Sequence, residues 1–138
     1  MKIVSHRGNI NGPSIYENVP SHIQKCLNDG IECEIDVWKI ENTFYLGHDF
    51  PEHKVDFLFL MQKGLWCHAK NLEALSSLLK QNVHCFWHQE DDYTITSKGY
   101  IWTFPNKPTS IYKSVIVDLS KDWKEKKYNC ERVCSDYI

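Results

Sequence analysis

Two hydrophobic rhythms take turns along the chain, one repeating every second residue and one at helical spacing. Residues 2–5 (KIVS) form a short apolar strand that ends on His6-Arg7-Gly8. Residues 18–30 read as a helix: Asn18 is a candidate N-cap, Pro20 falls in the first turn, and Val19, Ile23, Cys26 and Leu27 make its apolar stripe. Gly30 closes it. The segment IECEIDVW at 31–38 alternates strictly, and a turn through Glu41-Asn42 leads into TFYLGHD at 43–49. Residues 54–63 fit either rhythm and are assigned to helix. LWCHAK at 65–70 is a strand, after which Asn71 caps an amphipathic helix with Leu72, Leu75, Leu78 and Leu79 facing inward. VHCFWH at 83–88, YIWTF at 100–104, SVIVDL at 114–119 and RVCSDY at 132–137 complete the strands. Short strands alternating with helices predict a parallel sheet of βα units, open or closed, in one domain over residues 1–138.

Composition narrows the function more than the fold. A net charge of −2 with mixed signs argues against nucleic-acid binding, which calls for a basic face. The lysines at 121, 124, 126 and 127 are interrupted by Asp122, Glu125 and Glu131 and read as a solvated face. The longest apolar run, Phe57 to Met61, is far too short to span a bilayer, so no stable membrane insertion is expected. MKIVSHRG turns polar too early for a signal peptide, and a cytoplasmic location follows as the expectation. The six cysteines then read as buried free thiols. A cysteine zinc site is disfavoured because no Cys-x-x-Cys pair occurs.

Candidate chemistry begins in the acidic strand. Alternation puts Cys33, Ile35 and Val37 on one face and Glu32, Glu34 and Asp36 on the other. Carboxylates about 6.5–7 Å apart along one face of a buried strand repel each other, and a divalent cation removes that conflict. An edge strand with its acids in water is the alternative. A two-residue turn at Glu41-Asn42 sets Gly47 beside Asp36, which returns His48 to the carboxylates. His6 and Arg7 sit at the C-terminal end of the first strand, where βα proteins gather functional groups, and an arginine there suits a phosphate.

These residues resemble the glycerophosphodiester phosphodiesterase family, a branch of the phospholipase-C-like β/α barrels. His6-Arg7-Gly8, Glu17-Asn18, Glu34-Ile35-Asp36-Val37 and His48-Asp49 follow the family's order and approximate spacing. Further along, Trp66-Cys67-His68-Ala69-Lys70 is similar to the family's Glu-x-Lys strand, with His68 in place of the glutamate. Tyr100-Ile101-Trp102-Thr103 and Val133-Cys134-Ser135-Asp136-Tyr137 are similar to its late strands. The resemblance implies an α/β fold. A full eight-stranded barrel takes about 250 residues, so the expectation is a compact, trimmed TIM-like β/α barrel with about seven strands and reduced helices. A barrel side left uncovered would favour a homo-oligomer.

The resemblance also implies roles. Glu34, Asp36 and His68 would hold one divalent metal ion, magnesium or calcium by family habit. The imidazole at His68 would shift preference towards manganese, iron or zinc, or else ligate nothing. His84 or His88 could contribute from the next strand. His6 and His48 would be the general acid and base. Arg7 and Lys70 would hold the phosphate, and Trp102 would wall the alcohol moiety. The expected partner is a small-molecule phosphodiester, hydrolysed by metal and histidine chemistry. The competing expectation is a barrel that binds a phosphorylated small molecule or glycan without turnover. A third, cyclisation of lysophospholipid head groups, ranks lower because the sequence offers no obvious apolar loop for a membrane surface.

Overall fold

The computed structural model describes residues 1–138. In chain order its elements are β1 (Lys2–His6), α1 (Pro20–Asn28), β2 (Glu32–Ile40), β3 (Thr43–Leu46), β4 (His53–Val55), α2 (Phe57–Leu60) and β5 (Leu65–Ala69). There follow α3 (Leu72–Lys80), β6 (Cys85–Phe86), β7 (Tyr93–Ile95), β8 (Ile101–Thr103), β9 (Ser114–Val117) and β10 (Arg132–Ser135), with a 3-10 turn at Trp123–Glu125. All ten strands belong to one mixed sheet. Strands β6, β5, β2, β1, β10, β9 and β8 run parallel in that spatial order, while β2–β3, β3–β4 and β7–β8 are antiparallel pairs.

This corrects the expected trimmed TIM-like β/α barrel with about seven strands. The sheet is ten-stranded and mixed, curls into a half-barrel, and carries only three short helices, so the fold is mostly β. The physical reason lies in the connections. A TIM barrel covers its outer face with a helix after each strand. Here the link from β9 to β10 holds only a 3-10 turn, the link from β8 to β9 holds no helix, and the link from β6 to β8 is occupied by β7. Residues 54–63, expected as one helix, divide into β4 and the single turn α2, which Asp56 caps by accepting from the Phe59 amide.

Side chains sort by strand alternation into a layer outside the curl and a filling inside it. Cys33, Ile35 and Val37 of β2 join Cys67 and Ala69 of β5 and Ile23, Ala74 and Leu78 of the helices in the outer core. Helix α3 packs mainly through Ala74 and Leu78, both fully buried, whereas Leu72 and Leu79 face solvent. Burying a leucine stabilises by about 1.5–3 kcal/mol, and Leu78, with Leu75 half-buried against the same core, holds this nine-residue helix together with its cap. Asn71 provides it, accepting from the Ala74 amide at 3.0 Å. Inside the curl, Val4, Trp66, Phe86, Trp102, Val115, Val117 and Cys134 form a separate apolar cluster. Phe86 of β6 stacks on Trp102 of β8 at 4.5 Å between centroids, spanning two strands that share no ladder. All six cysteines are buried free thiols.

Candidate functional site

The site grows from the way β2 is shared. One edge of β2 pairs with β5 over Cys33–Val37. Its other edge carries β1 at Glu32–Glu34 and then β3 at Val37–Ile40. The Arg7 amide donates to the Glu34 carbonyl at 2.9 Å and the Gly47 amide to the Asp36 carbonyl at 3.1 Å, continuing that edge from one strand to the next. The end of β3 therefore falls just beyond the end of β1, and His48 lands over Arg7.

Register then aligns the inward side chains. Glu34 lies beside Trp66 and Asp36 beside His68 across the β2–β5 pair. Glu34 is 3% exposed and Asp36 1%, which excludes the edge-strand alternative for this face. One ligating atom from each of Glu34, Asp36 and His68 lies within 4.8 Å of the others, a candidate metal triad. His68 Nδ1 is 3.2 Å from Asp36 Oδ1 and 3.8 Å from Glu34 Oε2. Glu32 does not join them: it binds Arg132 at 2.8 Å and accepts from Trp66 Nε1 at 2.9 Å, closing the opposite end of the curl.

Three features of the triad fit a cation. Glu34 Oε1 and Asp36 Oδ1 are buried and accept no hydrogen bond. The second ring nitrogen of His68, Nε2, lies 2.8 Å from the His88 carbonyl and donates its proton there. That leaves Nδ1 facing two carboxylates, where a bare lone pair would be repelled. It needs a proton or a metal ion, and a second nitrogen tied to a carbonyl is how ligating histidines are held. Burial pushes the Glu34 carboxyl well above its usual pKa, helped by the negative Asp36 beside it. Burial opposes the Asp36 charge too, but the facing imidazoles of His48 and His68 and the Arg7 guanidinium outweigh it and hold Asp36 low. Two oxygens and one imidazole are a donor set for a divalent ion of borderline hardness.

The remaining predicted residues surround the triad. His6 Nδ1 donates to Asp136 Oδ1 at 2.8 Å, which leaves Nε2 for the cavity. Arg7 Nη2 donates to His48 Nε2 at 3.2 Å, while His48 Nδ1 lies 3.6 Å from Asp36 Oδ2. Arg7 also pairs with Glu17 at 3.3 Å and approaches Asp36 at 3.5 Å. Burial works against its charge, but the fields of Glu34, Asp36 and Glu17 prevail and raise its pKa. Lys70 and Trp102 line the same cavity, of about 470 Å³, with Trp87 and Phe104 on its apolar side. His88 lines it as well and contributes its carbonyl to His68. His84 lies at the other end of the curl, 2.8 Å from the Thr96 hydroxyl.

Sequence reasoning missed four residues that hold this arrangement. Asn18 does not cap α1, whose N-cap is Val19. It sits buried at φ 58° and binds Asp36 twice, donating Nδ2 to Oδ2 and accepting the Asp36 amide on Oδ1, each at 2.9 Å. Asp136 orients His6. Asn9 bridges Asp136 at 2.8 Å and Glu17 at 2.9 Å through its amide nitrogen. Glu17 and Asn18 stood out only as a motif of the family resemblance, and Asp136 only as part of the segment similar to its closing strand, and spacing alone did not say whom they touch.

Compared with known proteins, the chain matches no family model, no curated protein and no solved structure. No helix is long and apolar enough to cross a membrane.

Proposed function

We propose that this protein is a metal-dependent phosphodiesterase acting on glycerophosphodiester-like substrates. The observation that carries the reading is His68: its Nε2 is fixed on a carbonyl while its Nδ1 is aimed between two buried carboxylates that have unpartnered oxygens. A divalent ion held by Glu34, Asp36 and His68 would supply charge neutralisation at the phosphoryl oxygens. The resemblance of His6-Arg7-Gly8, Glu34-Ile35-Asp36 and His48 to the glycerophosphodiester phosphodiesterase motifs supports the reaction class.

The chain's own groups divide the work. Arg7 and Lys70 bind the phosphodiester from the polar side of the cavity, and Trp102 walls off one alcohol. A phosphate that takes up the Arg7 donors releases His48 Nε2, which Arg7 otherwise occupies. One histidine removes the proton of the attacking oxygen, from water or from a neighbouring substrate hydroxyl, and the other protonates the departing alkoxide. Asp136 stabilises the imidazolium that forms on His6.

A second reading, a pocket that binds a phosphorylated small molecule or glycan without turnover, draws support from Arg7, which is already engaged with Glu17, Asp36 and His48. Turnover of glycerophosphodiesters and bis(p-nitrophenyl) phosphate across magnesium, calcium, manganese and zinc separates the two. The expected result is metal-dependent hydrolysis abolished by His6→Ala and by Glu34→Ala, with manganese or zinc ahead of calcium. Metal binding by the folded protein with no hydrolysis under any ion refutes the enzyme and leaves the binding pocket.

A further inference from the structure

We infer that the end of the curl opposite the triad is a second ligand site, one that holds the dianionic phosphate of a small phosphomonoester. This site needs neither the metal nor the histidine chemistry proposed above. A cavity of about 240 Å³ opens there, where β2, β5 and β10 begin. Arg132 forms part of its wall, with its guanidinium 5.2 Å from the centroid of Trp66 and 5.3 Å from that of Tyr100. Glu32 and Glu131 both pair with Arg132, so its charge is matched within the protein.

Three donors on the same cavity have no such match. Lys63, on the loop before β5, and Lys98, on the loop between β7 and β8, line it and make no ion pair or side-chain hydrogen bond. Other lysines of the chain do find acids: Lys107 pairs with Asp92 and Lys126 with Asp118. The third donor is His84. Its Nε2 lies 2.8 Å from the Thr96 hydroxyl, which already accepts the Tyr100 amide at 3.2 Å and has no other acceptor for its own proton. The hydroxyl therefore donates to Nε2, which puts the imidazole proton on Nδ1. Nδ1 makes no hydrogen bond within the chain, and His84 lines the cavity.

Two ammonium groups brought to one small cavity from separate loops repel each other, and a bound anion removes that conflict. Burial first, and then the Lys98 and Arg132 cations, push the His84 pKa down to about 4, so at neutral pH its ring offers an uncharged N–H. Two ammonium charges and one N–H donor match a phosphomonoester, which carries a charge of about −2 at pH 7 and three acceptor oxygens. The cavity has about half the volume of the one at the triad, which restricts the rest of the ligand to a few atoms beyond the phosphate. Amides of Gln62, Gln81 and Asn82 line the remaining wall and suit hydroxyl groups on that body.

The test is titration of the metal-free full chain with methyl phosphate at about pH 7.5, where the ester is a dianion, followed through the histidine ring resonances. Methyl sulfate, a monoanion, and sodium chloride at matched ionic strength run beside it, and His84→Gln assigns the resonances of His84. The variants are Lys63→Gln and Lys98→Gln, both at exposed side chains, with Lys98→Arg as the conservative replacement. Lys70→Gln, which alters the cavity at the triad, is the control for phosphate bound there. Methyl phosphate is expected to shift the His84 resonances saturably and to bind at least about tenfold more tightly than methyl sulfate. Each glutamine variant should bind about tenfold more weakly, and Lys98→Arg should stay within about threefold of wild type. Lys70→Gln should leave the His84 shift unchanged. A shift at His6 or His48 with none at His84 puts the phosphate at the triad alone and overturns the second site. A response that sodium chloride reproduces, or one that survives both glutamine variants, overturns it as well.

Discussion

Replacing Asn18 tests whether the acidic strand is held in place by the loop that follows β1. The Asn18 amide makes two 2.9 Å bonds to one residue, donating to the Asp36 carboxylate and accepting from the Asp36 amide, in a position 1% exposed. Asn18→Gly removes both bonds and keeps the left-handed backbone at φ 58° without strain. A hydrogen bond to a charged group contributes about 1.5–3 kcal/mol, and a buried amide left unpaired costs about 1–3 kcal/mol. Allowing for partial relaxation, the glycine variant should lose about 2–4 kcal/mol of stability in urea unfolding. Asn18→Ala adds a left-handed penalty of about 1–2 kcal/mol, partly offset by its stiffer unfolded chain, so it should be the worse of the two. Because Asp36 also loses an orienting partner, manganese affinity should fall by about 10–100-fold, read by calorimetric titration. A glycine variant within 1 kcal/mol of wild type, with unchanged metal affinity, would refute the idea that Asn18 organises the site.

Three further outcomes follow from neighbouring residues. Asp136→Asn should lower turnover by about 10²–10⁴-fold while leaving metal-induced thermal stabilisation intact, because it disturbs the His6 proton and not the triad; steady-state kinetics beside thermal melts with manganese separates the two. Metal uptake should expel a proton from Glu34, whose carboxyl is pushed up by burial and by Asp36, so affinity should fall as pH falls; titration in buffers of different ionisation enthalpy measures the proton released. His84 is pushed down to about 4, by burial first and then by the Lys98 and Arg132 cations. Its unfolded form takes up a proton near pH 6.5, so stability is full above that pH and declines towards pH 4; the loss, discounted for partial solvent access, is about 1–2 kcal/mol in urea melts and should be absent in His84→Gln.

The strands carrying the chemistry were legible because period-two alternation fixes which side chains share a face. Alternation alone puts Glu34 and Asp36 on one face, with Glu32 beside them, and the hairpin through Glu41-Asn42 pairs Val37 with Leu46 as turn geometry requires. What alternation cannot state is what covers a strand. The outer faces of β8 and β9 carry no helix, and the residues linking β6 to β8 make a strand of their own, so a pattern read as a trimmed TIM-like barrel became a mixed half-barrel. Helix capping misled in a related way. Asn18 stands where an N-cap belongs in sequence, but a buried carboxylate and amide across the fold compete for its side chain and hold it. The stripe on α3 was read one residue too wide at each end: Leu72 and Leu79 face solvent, while Ala74, Leu75 and Leu78 make the contact.

The loop between β1 and α1 binds these parts into one device. Arg7, Asn9, Glu17 and Asn18 all come from it, and together they touch His48 and the carboxylates of Asp36 and Asp136: Arg7 reaches His48 and Asp36, Asn9 reaches Asp136, and Asn18 fixes Asp36. Arg7 and Asn18, at φ near 57°, and Gly8, at 86°, hold the loop in left-handed turns that fold it back over the strand ends. A Cβ at Gly8 would meet the Ile23 side chain at 2.6 Å, so the loop is seated directly on the first helix. The proposed phosphate ligand Arg7, the proposed acid–base group His48 and the candidate metal ligand Asp36 are thus tied to one segment braced against the outer core. That arrangement makes substitutions in the loop act on proton transfer and metal affinity together, whereas changes in β5 at His68 should act on the metal alone.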